Sequence, residues 1–278
     1  MPLLKDDVRL VLGQIAIASL DAPGNLERVL AVCEQAAGEG ADLVLFPELA
    51  NLGQVPSYDP TFAARYADAA EPVPGPFTDA VAAAARRHGF HVVVGVAERH
   101  PDAGDRVFNT AMVMAPSGEI VGVQRKLHLA HGSERDYFAR GSDIVVVPTA
   151  LGVLAAQICY DLYFPEVARA AALRGAEILC GIANITDRPE WPDRLVHLAS
   201  VRAYENMQHV AIVNRVGADH GRPFGGESVV AVPPGIVVAR GPRAEEAVVH
   251  ATLHAKTLQE ERANRPVFED RRPEVYGL

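Results

Sequence analysis

Hydrophobic positions along the first half of the chain follow two spacings. Short β-branched runs are typical of buried strands, and apolar residues three or four positions apart are typical of helices. The predicted elements alternate as strand, helix, strand and alanine-rich helix over 8–18, 25–37, 42–46 and 77–87. Further strands are predicted over 92–96, 110–114 and 120–123. A Pro-Ser-Gly turn at 116–118 joins the last two as a hairpin, so a mixed sheet is expected.

The second half repeats this alternation. Its predicted strands and helices lie, in chain order, over 153–158, 165–174, 177–182, 193–206 and 210–213. A hairpin over 228–239 and a strand over 247–253 complete the pattern, and the tail after Ala263 is polar. No stretch has the composition of an interdomain linker, so we predict one α/β domain over 1–278 with mixed sheets covered by helices.

Composition and charge narrow the range of partners. Hydrophobic residues make up 49% and charged residues 22% of the 278 positions, as in an ordinary globular protein. The formal net charge is -9 and no basic run is present, which disfavours nucleic acid. No apolar run reaches the roughly 20 residues that span a bilayer, and the N-terminus does not resemble a signal peptide. We expect a cytoplasmic protein that binds neither nucleic acid nor membrane.

Cysteine and histidine spacing gives no indication of a metal site. The chain has three cysteines, Cys33, Cys159 and Cys180, without CxxC spacing. His250 and His254 are four residues apart but fall in a predicted strand and turn, without the HExxH pattern of a zinc hydrolase. We therefore expect no metal and no organic cofactor.

Three chemically useful side chains each follow a predicted strand. Cys159 stands where a buried strand turns towards a helix, a position that exposes a nucleophile. A helix N-terminus and a lysine near it would favour the thiolate. Lys126 can stabilise an oxyanion, and Glu48 can act as a base. Each alone has an ordinary structural interpretation, as a buried cysteine, a lysine at a strand end or a surface carboxylate. Together they favour covalent acyl transfer.

Ordered motifs along nearly the whole chain resemble those of the nitrilase superfamily of carbon–nitrogen hydrolases. These motifs are Phe46-Pro-Glu-Leu49, Arg125-Lys-Leu-His128, Cys159-Tyr-Asp161 with Phe164-Pro-Glu166, Arg174-Gly-Ala-Glu177, Arg202-Ala-Tyr-Glu-Asn206, Asn214-Arg-Val-Gly217 and Phe224-Gly-Gly-Glu-Ser228. The resemblance implies a four-layer αββα sandwich and a catalytic triad of Glu48, Lys126 and Cys159. It also implies a second active-site glutamate at Glu134. In the reaction expected from these roles, Lys126 and the Tyr160 backbone N–H stabilise the oxyanion.

The reaction type is narrowed by the residues around the nucleophile. Cys159-Tyr160-Asp161 resembles the amidase and carbamoylase branches more than the Cys-Trp-Glu of nitrilases. We predict a hydrolase of a small amide or N-carbamoyl compound, with a nitrile as the alternative substrate. An inactive binding protein with the same fold is the alternative from another class. The pocket candidates are Asn184, Ile185 and Trp191, in one of the two loops expected to set specificity, 52–70 and 184–193.

The C-terminal segment indicates that the chain forms a homo-oligomer. Residues 271–277 resemble the arm with which family members reach across a dimer interface, and the whole arm would cover about 264–278. The resemblance therefore implies a homodimer or a higher homo-oligomer.

Overall fold

The first half of the chain builds most of one β-sheet and the helices that cover it. The computed structural model describes residues 4–276. Its elements in this half are β1 (Asp7–Gln14), α1 (Ala22–Gly38), β2 (Leu43–Leu45), α2 (Pro60–Ala69), α3 (Pro76–His88), β3 (His91–Glu98), β4 (Val107–Met114), β5 (Ile120–Arg125), α4 (Glu134–Tyr137) and β6 (Phe138–Ala139).

The second half builds the other sheet and returns one strand to the first. Its elements are β7 (Val146–Thr149), β8 (Gly152–Ile158), α5 (Pro165–Leu173), β9 (Ile178–Ala183), α6 (Arg194–Asn206), β10 (His209–Asn214), β11 (Val216–Asp219), β12 (Arg222–Gly225), β13 (Val229–Val232), β14 (Ile236–Arg240), β15 (Ala247–His254) and α7 (Ala255–Asn264). Short 3-10 turns occupy Pro101–Ala103, Cys159–Tyr163 and Pro273–Val275.

Both sheets mix parallel and antiparallel pairs, as predicted. The first has the order β15-β1-β2-β3-β4-β5, with β6 paired to β4, and the second has the order β14-β13-β10-β9-β8-β7. The pairs β1/β2, β2/β3, β8/β9 and β9/β10 are parallel. The carboxyl ends of these central strands therefore lie at one edge of each sheet, where sites in α/β proteins form.

The central strands are buried on both faces because each sheet is covered on both sides. Between the sheets, Leu12 and Val93 of the first meet Ile158 and Ile182 of the second in one buried core. On the outer faces, α1 and α3 pack on the first sheet, and α5 and α6 pack on the second. Strands buried on both faces read as continuous hydrophobic runs, which is the pattern seen in the sequence. The predicted αββα sandwich is confirmed.

Besides the single turn of α4, two helices were not predicted. Helix α2 begins after Asp59, whose carboxylate accepts hydrogen bonds from the backbone N–H groups of Thr61 and Phe62 at 2.8 and 3.3 Å. An Asp-Pro pair is a helix-start signal, but the helix buries only Tyr66 fully, so it lacks a clear apolar face. Helix α7 is almost entirely polar, and only Ala255 and Leu258 are buried in it. Both helices are stabilised by contacts that the spacing of hydrophobic residues does not predict.

The predicted C-terminal arm extends beyond the described residues, because Gly277 and Leu278 lie outside them. Within the described part, the Phe268 ring lies 5.7 Å from the Arg169 guanidinium and 5.8 Å from that of Arg262. The first part of the arm is thus held against α5 and α7. Over 4–276, no helix is both long and apolar enough to cross a bilayer.

Candidate active site

Glu48 follows β2 on a backbone that lies directly against β3. The Ala50 N–H donates to the Gly95 carbonyl at 2.7 Å, and the Gly95 N–H donates to the Pro47 carbonyl at 3.2 Å. A Cβ atom at Gly95 would lie only 2.6 Å from the Glu48 Cα, so no other residue fits there without displacing Glu48. Sequence reasoning missed Gly95, although a glycine inside a run of valines is a signal of close backbone approach.

Lys126 follows β5, and two backbone hydrogen bonds fix its main chain. Its N–H donates to the Asn109 carbonyl and its own carbonyl accepts from the Gly141 N–H, both at 2.8 Å. The ammonium reaches Glu48 Oε1 at 2.7 Å and Glu134 Oε1 and Oε2 at 2.8 and 2.9 Å. The structure thus brings three of the predicted site residues into one buried cluster.

Glu134 is the first residue of α4. Its Oε2 atom also accepts a hydrogen bond from the Ala130 N–H at 2.7 Å. This second bond fixes the carboxylate while it faces Lys126. Glu134 is therefore a buried partner of the lysine rather than a solvated loop carboxylate.

The cluster combines two carboxylates with one ammonium. Burial alone would lower the pKa of Lys126, but Glu134 and Glu48 outweigh it and raise that pKa well above its usual value. Burial raises the pKa of Glu48, and Glu134 adds to this, whereas Lys126 and Asn109 offset part of the rise. A carboxyl whose pKa is raised binds a proton more readily than an exposed glutamate, which suits a group that accepts and returns a proton.

Cys159 lies where β8 turns into the 3-10 segment ahead of α5. Its φ of 47° is in the left-handed region, which is unusual for a residue with a side chain, and the residue is half-buried. Burial raises the pKa of the thiol, and Glu48 raises it further, whereas Lys126 and a backbone hydrogen bond from Asn184 lower it. Lys126 lowers the pKa of the thiol, as expected, but burial and the carboxylates outweigh it, so the net direction is a rise rather than the expected lowering.

Asp161 ties the lysine loop to the nucleophile turn. Its Oδ1 atom accepts from the backbone N–H and from Nδ1 of His128, both at 2.8 Å, and its Oδ2 lies 3.4 Å from the Ile158 N–H. The His128 ring also stacks on Phe164, with 3.7 Å between ring centroids. Sequence reasoning gave Asp161 and His128 no role beyond their motifs, since the contact joins residues 33 positions apart.

The three predicted pocket residues lie in different surroundings. Asn184 is 4% exposed, and neither polar atom of its side chain has a hydrogen-bond partner among the described residues. Ile185 packs into the apolar layer beneath α5 and α6 with Leu162 and Leu195. Trp191 is 59% exposed. Tyr160 is expected to act through its backbone, and its ring packs edge-on against the ring of Phe164.

Asn214, to which the sequence analysis gave no role, anchors the loop that carries Asn184, Ile185 and Trp191. Its Oδ1 accepts from the Ile185 N–H at 2.8 Å, and its Nδ2 donates to the Ile185 and Gly226 carbonyls at 3.1 and 2.9 Å. The signal was the Asn214-Arg-Val-Gly217 motif, whose asparagine joins β10 to the pocket loop.

The histidines considered as metal ligands pair with separate surface acids. His250 Nδ1 lies 2.9 Å from Glu39, and His254 Nδ1 lies 2.7 Å from Asp7. Across the part of the chain that the structure describes, no group of three or more His, Cys, Asp or Glu side chains is arranged to hold a metal ion.

Sequence comparisons place this arrangement among known proteins. The family model described as carbon-nitrogen hydrolase matches residues 9–263. A probable nitrilase of Schizosaccharomyces pombe is 30% identical over 266 residues, with 95% of each chain covered. An omega-amidase of Bos taurus is 30% identical over 283 residues, with 97% of each chain covered.

Solved structures agree with the sequence comparisons. A glutamate-to-glutamine mutant of the amidase from Nesterenkonia sp. AN1 has a TM-score of 0.81 and 26% identity, covering 99% of this chain and 97% of that one. Its active-site cysteine carries the acetamide moiety of fluoroacetamide. A carbon-nitrogen hydrolase from Helicobacter pylori shares the fold, with a TM-score of 0.84, 24% identity and coverage of 98% and 97%. As the motifs predicted, the chain belongs to the carbon–nitrogen hydrolase family.

Proposed function

We propose that this protein hydrolyses the carbon–nitrogen bond of a small amide or N-carbamoyl compound through a thioester at Cys159. The observation that carries the proposal is the buried Glu48–Lys126–Glu134 cluster, which acts electrostatically on a half-buried thiol held in a strained turn. The amidases among the relatives, and the acetamide adduct on the cysteine of one of them, support an amide substrate.

The first half-reaction forms the thioester. As the sulfur attacks the substrate carbonyl, the thiol proton moves to the Glu48 carboxylate. The carbonyl oxygen becomes an oxyanion beside the Lys126 ammonium and the Tyr160 backbone N–H. Glu48 then returns the proton to the departing nitrogen, the carbon–nitrogen bond breaks, and ammonia or an amine leaves.

The second half-reaction releases the acyl group. Glu48 removes a proton from a water molecule as its oxygen attacks the thioester, and the proton returns to sulfur when the carbon–sulfur bond breaks. Glu134 keeps the Lys126 ammonium in place throughout, through its two contacts at 2.8 and 2.9 Å. A positioned ammonium stabilises the oxyanion without having to reorganise during the reaction.

Two alternative functions must be distinguished from the proposed one by experiment. A nitrile substrate is favoured by the relatives named as nitrilases, since the same thiol can add to a nitrile carbon. An inactive binding protein is disfavoured because Glu48, Lys126 and Cys159 are all present.

The test is release of ammonia or amine from a panel of aliphatic amides, N-carbamoyl compounds and nitriles. The panel is run with the native protein, Cys159→Ala and Cys33→Ala. Cys33 is a matched control because it is buried in α1, where burial raises its pKa to about 12. Turnover of amides or carbamoyl compounds that is lost only in Cys159→Ala is expected. Turnover of nitriles alone would select the first alternative, and full activity of Cys159→Ala would end the proposal.

The homodimer and the cytoplasmic location both stay predictions. Exposed apolar side chains in the described part of the arm, Val275 and Tyr276, support a role for it in assembly. A light-scattering mass equal to one chain at micromolar concentration would count against the dimer.

A further inference from the structure

Asn109 contacts both the base and the cation of the proposed site. It lies on β4, opposite Ala97 of β3, and is fully buried. Its Nδ2 atom donates to Glu48 Oε1 at 2.6 Å, and its backbone carbonyl accepts the Lys126 N–H at 2.8 Å. No sequence motif had given this residue a role.

The two oxygens of the Glu48 carboxylate differ because of this contact. Oε1 accepts from both Lys126 Nζ, at 2.7 Å, and Asn109 Nδ2. Oε2 is buried and has no hydrogen-bond partner among residues 4–276. A carboxylate oxygen that already accepts two hydrogen bonds has little capacity left for a proton, so Oε2 is the oxygen available to the thiol.

We infer that Asn109 is a positioning residue that holds Glu48 Oε1 and thereby keeps Oε2 available as the atom that takes the Cys159 proton. The inference rests on the proposed function, in which Glu48 is the base. In this step the sulfur–hydrogen bond breaks, the proton forms a bond to Oε2, and the electron pair left on sulfur attacks carbon.

A nearby buried asparagine has a different set of hydrogen-bond partners. Asn51 is also buried, and both ends of its side chain bond the backbone of Ala97, at 2.8 and 3.2 Å. Asn109 instead leaves its Oδ1 atom without a partner among the described residues. The Asn109 side chain thus bonds the Glu48 carboxylate and no backbone group among the described residues, whereas Asn51 bonds the backbone.

The contact has a measurable consequence for titration. The charged and titratable groups that act on Glu48 are Lys126, Glu134, Cys159, Tyr66 and Arg215. Substitutions at Asn109 leave all of these in place. A hydrogen bond to the ionised carboxylate lowers its pKa, so loss of the Asn109 amide moves ionisation of Glu48 to higher pH.

The experiment measures alkylation of Cys159 by iodoacetamide as a function of pH, with intact mass as the readout. Alkylation forms a carbon–sulfur bond, releases iodide and passes the thiol proton to the base, so it reports on Glu48 without needing the natural substrate. Burial raises the pKa of both Cys33 and Cys180 to about 12, which keeps them unreactive. The variants are Asn109→Leu and the smaller Asn109→Ala, with Thr110→Val as control. Thr110 is the adjacent buried residue, and its hydroxyl bonds Glu98 at 2.7 Å.

In both Asn109 variants the acid limb of the rate profile is expected to move to higher pH by about one unit. This is the pKa change that corresponds to the free energy of a lost hydrogen bond to a charged group. Thr110→Val is expected to lower the melting temperature and leave the limb in place. A folded Asn109 variant with the native limb would overturn the inference, provided that Glu48→Gln abolishes the limb. If Glu48→Gln keeps the native limb, the proposed role of Glu48 as the base fails instead.

Discussion

The two sheets contribute different kinds of surface to the candidate site. The first sheet and the loops that follow its strands supply Glu48, Asn109, Lys126 and Glu134, which are buried and joined by hydrogen bonds of 2.6 to 2.9 Å. The second sheet supplies a half-buried Cys159 and, after β9, an Asn184 side chain with no partner among the described residues. The first-sheet side chains bond one another, whereas the Asn184 side chain bonds none of the described residues.

This difference suggests that the two halves of the site have different functions. Groups that stabilise charge in a transition state act best when they are fixed beforehand. Groups that recognise a substrate must exchange a contact with water for a contact with the ligand. The first-sheet half therefore fits the charge chemistry, and the Asn184 side of the second-sheet half fits substrate recognition. Substitutions in the two halves should consequently have different signatures.

The largest effect is expected for Lys126→Met, which leaves two buried carboxylates without their cation. Removal of one partner from a buried ion pair costs about 3–5 kcal/mol of folding stability, and loss of the oxyanion partner lowers turnover by roughly 10³-fold. Urea unfolding and ammonia release measure the two losses. Lys5→Met is the control, since its ammonium lies 2.7 Å from Asp42 but is 45% exposed, and such pairs contribute less than about 1 kcal/mol.

The stability lost in Lys126→Met should depend on pH. Burial raises the pKa of Glu48, and removal of the lysine raises it further. The folded variant then binds a proton at a pH where the unfolded chain does not, so the variant regains stability as pH falls from the folded-state pKa towards the ordinary value. A deficit that stays constant between pH 8 and about pH 5 would show that the carboxylates do not carry the cost.

A smaller effect, on binding rather than folding, is expected for Asn184→Leu. Replacement of an unpaired buried amide by an apolar group of similar size costs little stability and can even stabilise. If the amide binds the substrate, KM should rise about tenfold with a nearly unchanged melting temperature, since one hydrogen bond contributes roughly 1 kcal/mol or slightly more. Asn214→Leu, which removes two hydrogen bonds to Ile185 of the pocket loop and one to Gly226, should instead lower the melting temperature. An unchanged KM in Asn184→Leu would remove Asn184 from the binding site.

The smallest effect is expected for Trp191→Ala. The ring is largely exposed, and a guanidinium from Arg194 lies 5.7 Å from its centroid. Loss of an exposed side chain changes stability by less than about 0.5 kcal/mol. If Trp191 borders the pocket, the preference between short and long acyl chains should change by a few-fold. Identical kcat/KM ratios across acyl lengths would assign the tryptophan to the loop surface alone.

Much of the fold was predictable because its strands are continuous apolar runs and its helices on the outer faces are strongly periodic. Helix α2 was not, because it buries only Tyr66 fully, and α7 was not, because it is almost entirely polar. The family resemblance named Glu48, Lys126, Glu134 and Cys159 from motifs that are local in sequence.

The supporting residues of the site escaped prediction for a different reason. Gly95 matters through a contact of 2.6 Å across strands, and Asn109 through a bond to a residue 61 positions away. A glycine within a run of valines indicates a close backbone approach without naming the partner, and the Asn109 contact has no local signature at all. The direction of the pKa of Cys159 depends on the sum of burial and several charges, of which the sequence suggested only the lysine and the helix N-terminus.

The central claim is that Cys159 carries the acyl group between the two half-reactions. Rapid acid quench of the protein during turnover of an active amide, followed by peptide mass spectrometry, tests it directly. The account predicts an added mass equal to the acyl group on the peptide that contains Cys159, appearing before steady state and disappearing as substrate is used up. Turnover with no acyl group on that peptide, or with the acyl group on Cys33 or Cys180, would contradict it.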